Sequence, residues 1–275
     1  MRRAHIWLIV LVEVCLLFSA CVVQTTGTAS TPDAPATPGA ELSADLDDIG
    51  WTEIGASLEF RRVRLRTGQQ SGELAILRLD PKAYHIRVAY DAAHPGRVSE
   101  WAAAVKPVAL INGGYFDAEG KATALVIFDG IVRGASYEGF GGMVVVNDQG
   151  DFELRSLRQQ PYDPNEPLRQ AMQSAPMLIQ PGGTVSELDA DEDRSRRTVI
   201  ARDRSGRILM IACDWATFTL SELATLLKES DLELDAALNL DGGRSTGMFV
   251  DTPTMRFTMD SFEPVPLVLI VDAKD

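Results

Sequence analysis

The sequence predicts a single α+β domain with a mixed, largely antiparallel sheet and few helices. Three observations carry this. From Leu58 onward the chain breaks into short apolar runs separated by Asp-Gly, Asn-Asp-Gln-Gly and Asp-Arg-Ser-Gly turns, the pattern of strands joined by hairpins. One segment, 219–228, stands out as a helix, with Thr219 and Glu222 as a capping box and Leu220, Leu223, Leu226 and Leu227 as an apolar stripe. Nothing repeats at the periods of solenoids.

The chain opens MRRAHIWLIVLVEVCLLFSAC. Arg2 and Arg3 form a positive start, and the apolar run 6–20 is interrupted by Glu13. The run is short for a span of about 20 residues, and a charge within it is costly. Small residues before Cys21 read as a lipobox, so residues 1–20 are expected to be an export signal, with lipid on Cys21 as a membrane anchor. Residues 21–50, rich in Thr, Ala, Pro and Ser, cannot bury enough apolar area to offset chain entropy and are expected to be a tether. The domain is expected over 51–275.

Within it, 74–79 and 84–90 read as strands, the second alternating Tyr84, Ile86, Val88 and Tyr90 against His85 and Arg87. Ser99 is expected to cap a short helix that ends at Lys106-Pro107. Strand 108–111 follows, then hairpins over 124–133, around Asp129-Gly130, and over 143–154. Residues 161–167 form a proline-rich loop, 168–173 a turn or two of helix, 176–179 a strand and 189–197 a charged loop. Strands 198–202 and 207–213 flank a turn. After helix 219–228 come strands 236–240, 248–250, 255–259 and 267–271.

A hydrophobic content of 45% can supply a sizeable core. The formal charge of −13 argues against nucleic acid, whose binding rests on clustered Lys and Arg. With Cys15 in the signal and Cys21 lipidated, Cys213 is the remaining thiol, on an apolar strand with no histidine near in sequence, and reads as structural. There is no His pair, Cys cluster, Walker loop or Gly-x-Ser-x-Gly elbow. The many aspartates leave a Ca²⁺ or Mg²⁺ site on oxygen ligands open.

The chemistry concentrates in two stretches of one design. ALNLDGGRSTGMFV (237–250) runs an apolar strand into Asp241, Gly242, Gly243, Arg244, Ser245 and Thr246. INGGYFD (111–117) runs another into Asn112, Gly113, Gly114, Tyr115, Phe116 and Asp117. Paired glycines let backbone N–H groups approach a ligand and cup an anion. Each alone could be an ordinary tight turn; two suggest loops meeting at one pocket.

Together with SAPMLIQPGG (174–183), SRRTVIARDRSGRILMIACD (195–214) and FTLSELATLL (218–227), these stretches resemble, in order, the phosphodiester glycosidase family over roughly residues 75–272. The chain departs from the family's usual pattern at Arg244 and Thr246, in place of Gly and Ser, and at Ala201, in place of Gly. The resemblance implies a fold of the same α+β kind. It implies hydrolysis of a sugar 1-phosphodiester in a glycan, exopolysaccharide or cell-wall polymer. On that reading the carboxylates Asp241, Asp214 and Asp117 are catalytic candidates. Asn112, Gly113, Gly114, Tyr115, Arg197, Asn239, Gly242, Gly243, Arg244 and Ser245 are candidates for substrate binding. Arg197 matches the family's Arg-Thr pair, and its neighbour Arg196 ranks lower; the plain alternative for both is a solvated charge run. Glu222 also matches, although capping a helix explains it. A different class stays open, an envelope lipoprotein that binds such a polymer without cleaving it.

Overall fold

The computed structural model describes residues 48, 50–67, 70–189 and 192–274. The export signal, Cys21 and nearly all of the expected tether lie outside them. Asp48 is tied to the domain, its carboxylate meeting the Arg61 guanidinium at 2.5 Å.

In chain order the elements are β1 (Thr52–Gly55), β2 (Leu58–Thr67), β3 (Gln70–Leu79), β4 (Tyr84–Tyr90), α1 (Val98–Val105), β5 (Ala109–Asn112), β6 (Val126–Phe128), β7 (Ile131–Arg133), β8 (Gly142–Val146) and β9 (Phe152–Ser156). There follow β10 (Gln170–Ser174), β11 (Met177–Gln180), β12 (Thr184–Val185), β13 (Ser195–Asp203), β14 (Ile208–Phe218), α2 (Leu220–Glu229), β15 (Leu234–Asn239), β16 (Met248–Thr252), β17 (Met255–Met259) and β18 (Leu267–Ala273). A 3₁₀ turn, Gly243–Ser245, sits between β15 and β16.

The strands form three sheets, in the orders β1-β2-β3-β14-β13-β15-β11-β12, β7-β6-β10-β8-β9 and β17-β16-β5-β18-β4. The pairings among the described residues are antiparallel throughout, so the α+β class holds with its strands shared among three sheets. The period of two decides what packs where. Ile200 of β13 and Met210 of β14 join one core with Val144 of the second sheet and Ile111 and Leu269 of the third. Their neighbours Val199, Leu209 and Ile211 face the other way, onto Leu223, Leu226 and Leu227 of α2. Helix α1 covers the outside of the third sheet through Val98 and Ala102.

Local chemistry explains most boundaries. Thr219 Oγ1 accepts from the Glu222 N–H at 3.2 Å while the Glu222 carboxylate accepts from the Thr219 N–H at 3.1 Å, the predicted box. Asp129 (φ 50°) and Gly130 (φ 79°) make the two-residue turn of the β6–β7 hairpin.

Three expectations are corrected. Helix α1 starts at Val98, because the Glu100 carboxylate takes the Arg97 N–H at 2.6 Å; Ser99 instead donates its hydroxyl to Asp260 at 2.7 Å. Residues 170–174 are strand, held between β6 and β8, tertiary pairing overriding helix-forming Gln, Ala and Met. The charged stretch 189–197 gives way to β13 at Ser195, and both Arg196 and Arg197 are buried.

Candidate active site

The two Gly-Gly turns meet. Strand β5 ends at Asn112 in the third sheet and β15 ends at Asn239 in the first, and the chain beyond each is tied to the other. The Asp241 N–H donates to the Gly113 carbonyl at 3.0 Å. Asn112 Nδ2 donates to the Asp241 carbonyl at 2.7 Å, and its Oδ1 accepts from the Gly247 N–H and the Thr198 hydroxyl. Asn112 is buried with its amide taken up by the protein, and these bonds hold the Asp241 turn against β5.

The glycines are required by close approach. A Cβ on Gly242 would stand 2.7 Å from the Arg196 carbonyl, and one on Gly114 2.6 Å from the Gln173 carbonyl. Gly243 has φ +57°, open to glycine at little cost. The Gly113 N–H is committed to the Leu267 carbonyl at 2.8 Å.

Asp241 is half-buried. Burial pushes its carboxyl up to about 6, and the negative charge of Glu263 adds to this; hydrogen bonds from Ser245 and from the Gly242 N–H oppose it. Ser245, buried, also donates to Glu263 Oε1 at 3.2 Å. One hydroxyl therefore serves two carboxylates with a single proton. Arg244, exposed, pairs with Glu263 at 3.2 Å, and its carbonyl accepts from the Phe262 and Glu263 N–H groups, which ties the 3₁₀ turn to that loop. Glu263 is a site residue that sequence reasoning missed. It lies 18 positions beyond Ser245, in a loop with no pattern to mark it.

Tyr115 and Arg197 complete the group. Burial pushes the Tyr115 phenol up to about 12, and the charges of both Asp241 and Arg197 act on it. Asn239 Nδ2 donates to the Tyr115 oxygen at 2.7 Å and to the Ala175 carbonyl at 3.1 Å, while its Oδ1 is buried with no hydrogen-bond partner. Arg197 Nε donates to the Phe218 carbonyl at 3.2 Å and Nη2 to the Asp193 carbonyl at 2.6 Å, with the Asp193 carboxylate at 3.6 Å. Those bonds fix the orientation of the guanidinium.

Two predicted carboxylates stand apart. Asp117 is exposed, and its Oδ1 accepts from the Glu119 and Lys121 N–H groups of its own turn. Asp214 faces Arg196; burial raises its carboxyl and the nearby Glu73 adds to the rise. Cys213 is fully buried, its thiol pushed up to about 12 by burial, as a structural cysteine requires. Among the described residues no group of three or more His, Cys, Asp or Glu is placed to hold a metal ion.

The fold is shared with solved structures. The catalytic domain of zebrafish N-acetylglucosamine-1-phosphodiester α-N-acetylglucosaminidase, a structure described as auto-inhibited by its pro-peptide, is 20% identical. The match covers 85% of this chain and 88% of that one, with a TM-score of 0.65. A hypothetical protein from Synechocystis matches at 13% identity, over 79% of this chain and 62% of that one, with a TM-score of 0.58. A putative exported protein from Burkholderia pseudomallei matches at 14% identity, over 75% of each chain, with a TM-score of 0.53. No curated protein matches by sequence. The sequence model of one family, described as phosphodiester glycosidase, matches residues 106–271, a span that takes in both Gly-Gly turns, Arg197 and Glu263, and the chain therefore belongs to the phosphodiester glycosidase family.

Proposed function

We propose that this chain hydrolyses a sugar 1-phosphodiester at the glycosidic C–O bond, in a glycan or cell-wall polymer, from a lipid anchor on Cys21. Family membership supports a glycosidase-type hydrolase. The observation that carries the finer reading is the Asp241 carboxyl, drawn up to about 6 where two glycine turns, Tyr115 and Arg197 converge. A carboxylate with that affinity is ionised at neutral pH yet basic enough to take a proton.

The roles follow from the bond to be broken. Ionised Asp241 takes a proton from water as the water oxygen bonds to C1. The C1–O electron pair leaves with the phosphate as a monoester anion, which is stable without a strong general acid, unlike an ordinary alkoxide. Arg197 holds the phosphate as a planar fork, helped by the Gly114 and Gly243 N–H groups. Burial keeps Asp241 basic and the charge of Glu263 adds to it, while Ser245 shares its proton between the two carboxylates.

Free sugar released from sugar 1-phosphodiesters by the full-length protein tests this, with Asp241→Asn as the control. A general base contributes roughly 10²–10⁴-fold, and the variant is expected to lose that much in kcat. A wild type that binds the polymer and releases no sugar would favour the non-catalytic module. Acyl groups on Cys21 by mass spectrometry test the anchor.

A further inference from the structure

Next to the Asp241 turn is an opening of about 560 Å³, lined by Arg97, Arg196, Asp214, Trp215, Asp260 and Phe262 among others. The proposed reaction uses none of these side chains. The register of the first sheet creates the opening. Arg197 pairs with Cys213 but Ser195 pairs with Phe218, so residues 214–217 bulge out of β14 and carry Asp214 and Trp215 with them. Bulges re-aim side chains in this way beside functional sites.

Arg196 is 7% exposed. Its Nη2 donates to the Asp260 carbonyl at 3.2 Å, but Nε and Nη1 have no hydrogen-bond partner. Among the described residues no other buried arginine leaves two nitrogens unpaired. Asp214 Oδ1 is likewise buried without a partner, although Arg196 and Asp214 are close enough to influence each other's titration. Native proteins satisfy buried polar groups, and three such atoms without a protein partner on the wall of one opening are the groups a polar ligand would engage. At the mouth, Trp215 is 64% and Phe262 56% exposed. The Phe262 ring lies 4.1 Å from Arg196 Cζ and has to turn out as a ligand reaches the guanidinium.

Exposed aromatic faces, an acceptor for hydroxyls and a desolvated arginine are together the groups that recognise a charged sugar. We propose that this pocket binds an acidic sugar, its carboxylate or phosphate on Arg196 and Arg97, a hydroxyl on Asp214 and its ring face on Trp215. The contact of Gly242 with the Arg196 carbonyl places the pocket directly beside the Asp241 turn. On the reading above, it takes the unit of the polymer next to the scissile phosphodiester. The binding itself does not depend on that reading.

Calorimetric titration of the full-length protein with trigalacturonate, glucose 6-phosphate and neutral maltotriose tests it. At least one acidic ligand is expected to bind about 10-fold or more tightly than maltotriose, a difference of about 1.4 kcal/mol. Which of the two binds identifies the anion. Arg196→Met is expected to remove that preference, Trp215→Ala, on the surface, to weaken acid binding more than twofold, and Asp241→Asn to leave both unchanged. Equal binding of acidic and neutral sugars, binding of neither acid, or acid binding left within twofold by Trp215→Ala overturns the proposal. Acidic-sugar binding without turnover of any phosphodiester would instead overturn the proposed hydrolysis and leave this site standing.

Discussion

Replacing Asp241 with Asn should make the protein more stable at neutral pH while removing its activity. The folded carboxyl titrates near 6 against an ordinary value of 3.8. Between those values the folded state holds a proton that the unfolded state has lost, so wild-type stability falls as pH rises from about 4 through 6 and then levels off. A gap of about two pH units corresponds to about 3 kcal/mol at 1.36 kcal/mol per unit. The hydrogen bonds from Ser245 and Gly242 are already contained in that net shift. Asn cannot ionise, keeps an acceptor for those donors and escapes the penalty. Urea unfolding of both proteins at pH 4 and pH 7.5 reads the difference, since their remaining groups titrate alike and cancel. At pH 4 the midpoints should nearly coincide; at pH 7.5 that of the variant should lie higher by about 1 M, given slopes of about 3 kcal/mol/M. A variant no more stable at pH 7.5, or a difference that does not change with pH, would refute the view that burial of an ionised Asp241 strains the fold.

The acid limb of kcat/KM should fall near pH 6, where Asp241 gains its proton. Glu263→Gln removes the like charge that raises Asp241, so the limb should move to lower pH; a limb that stays in place would separate Glu263 from the catalytic carboxylate. Arg197→Ala should weaken phosphodiester substrates by about 2–5 kcal/mol if the charge pair is desolvated and spare an aryl glycoside without phosphate; equal defects on both would take Arg197 off the phosphate. Native Cys213 should resist thiol reagents at pH 8 because of its burial and raised thiol, and Cys213→Ala should keep activity while losing on the order of 1 kcal/mol; an inactive but cooperatively folded variant would contradict a structural thiol.

How much of this was legible in the sequence depended on whether the cause was local. The Thr219–Glu222 box, the Asp129-Gly130 hairpin and the alternation over 84–90 each write their geometry into a few adjacent residues, and each is found in the fold. The two Gly-Gly turns were visible because close backbone approach demands glycine, and their meeting was a fair expectation from the repeat of one design. Ser99 misled because Glu100 made the better partner for the start of α1, and 170–174 misled because its neighbours in the sheet lie 24 or more positions away. Glu263 reaches Ser245 through a loop without pattern. The bulge at 214–217 depends on register between two strands, which no single strand encodes. Arg196, plausible as a surface charge in the text of the chain, is buried beside it. The side chains of Asn112 and Asp117 looked like ligand groups by type, and only their hydrogen bonds show that the protein already uses them.

Hydrolysis in ¹⁸O-water is the most direct measurement of which bond is broken. Attack of water on C1, with the phosphate leaving, puts the label in the released sugar and none in the phosphate. Label in the phosphate would mean that water attacks phosphorus, and would contradict the assignment of Asp241 and Arg197 to opposite ends of a glycosidic bond.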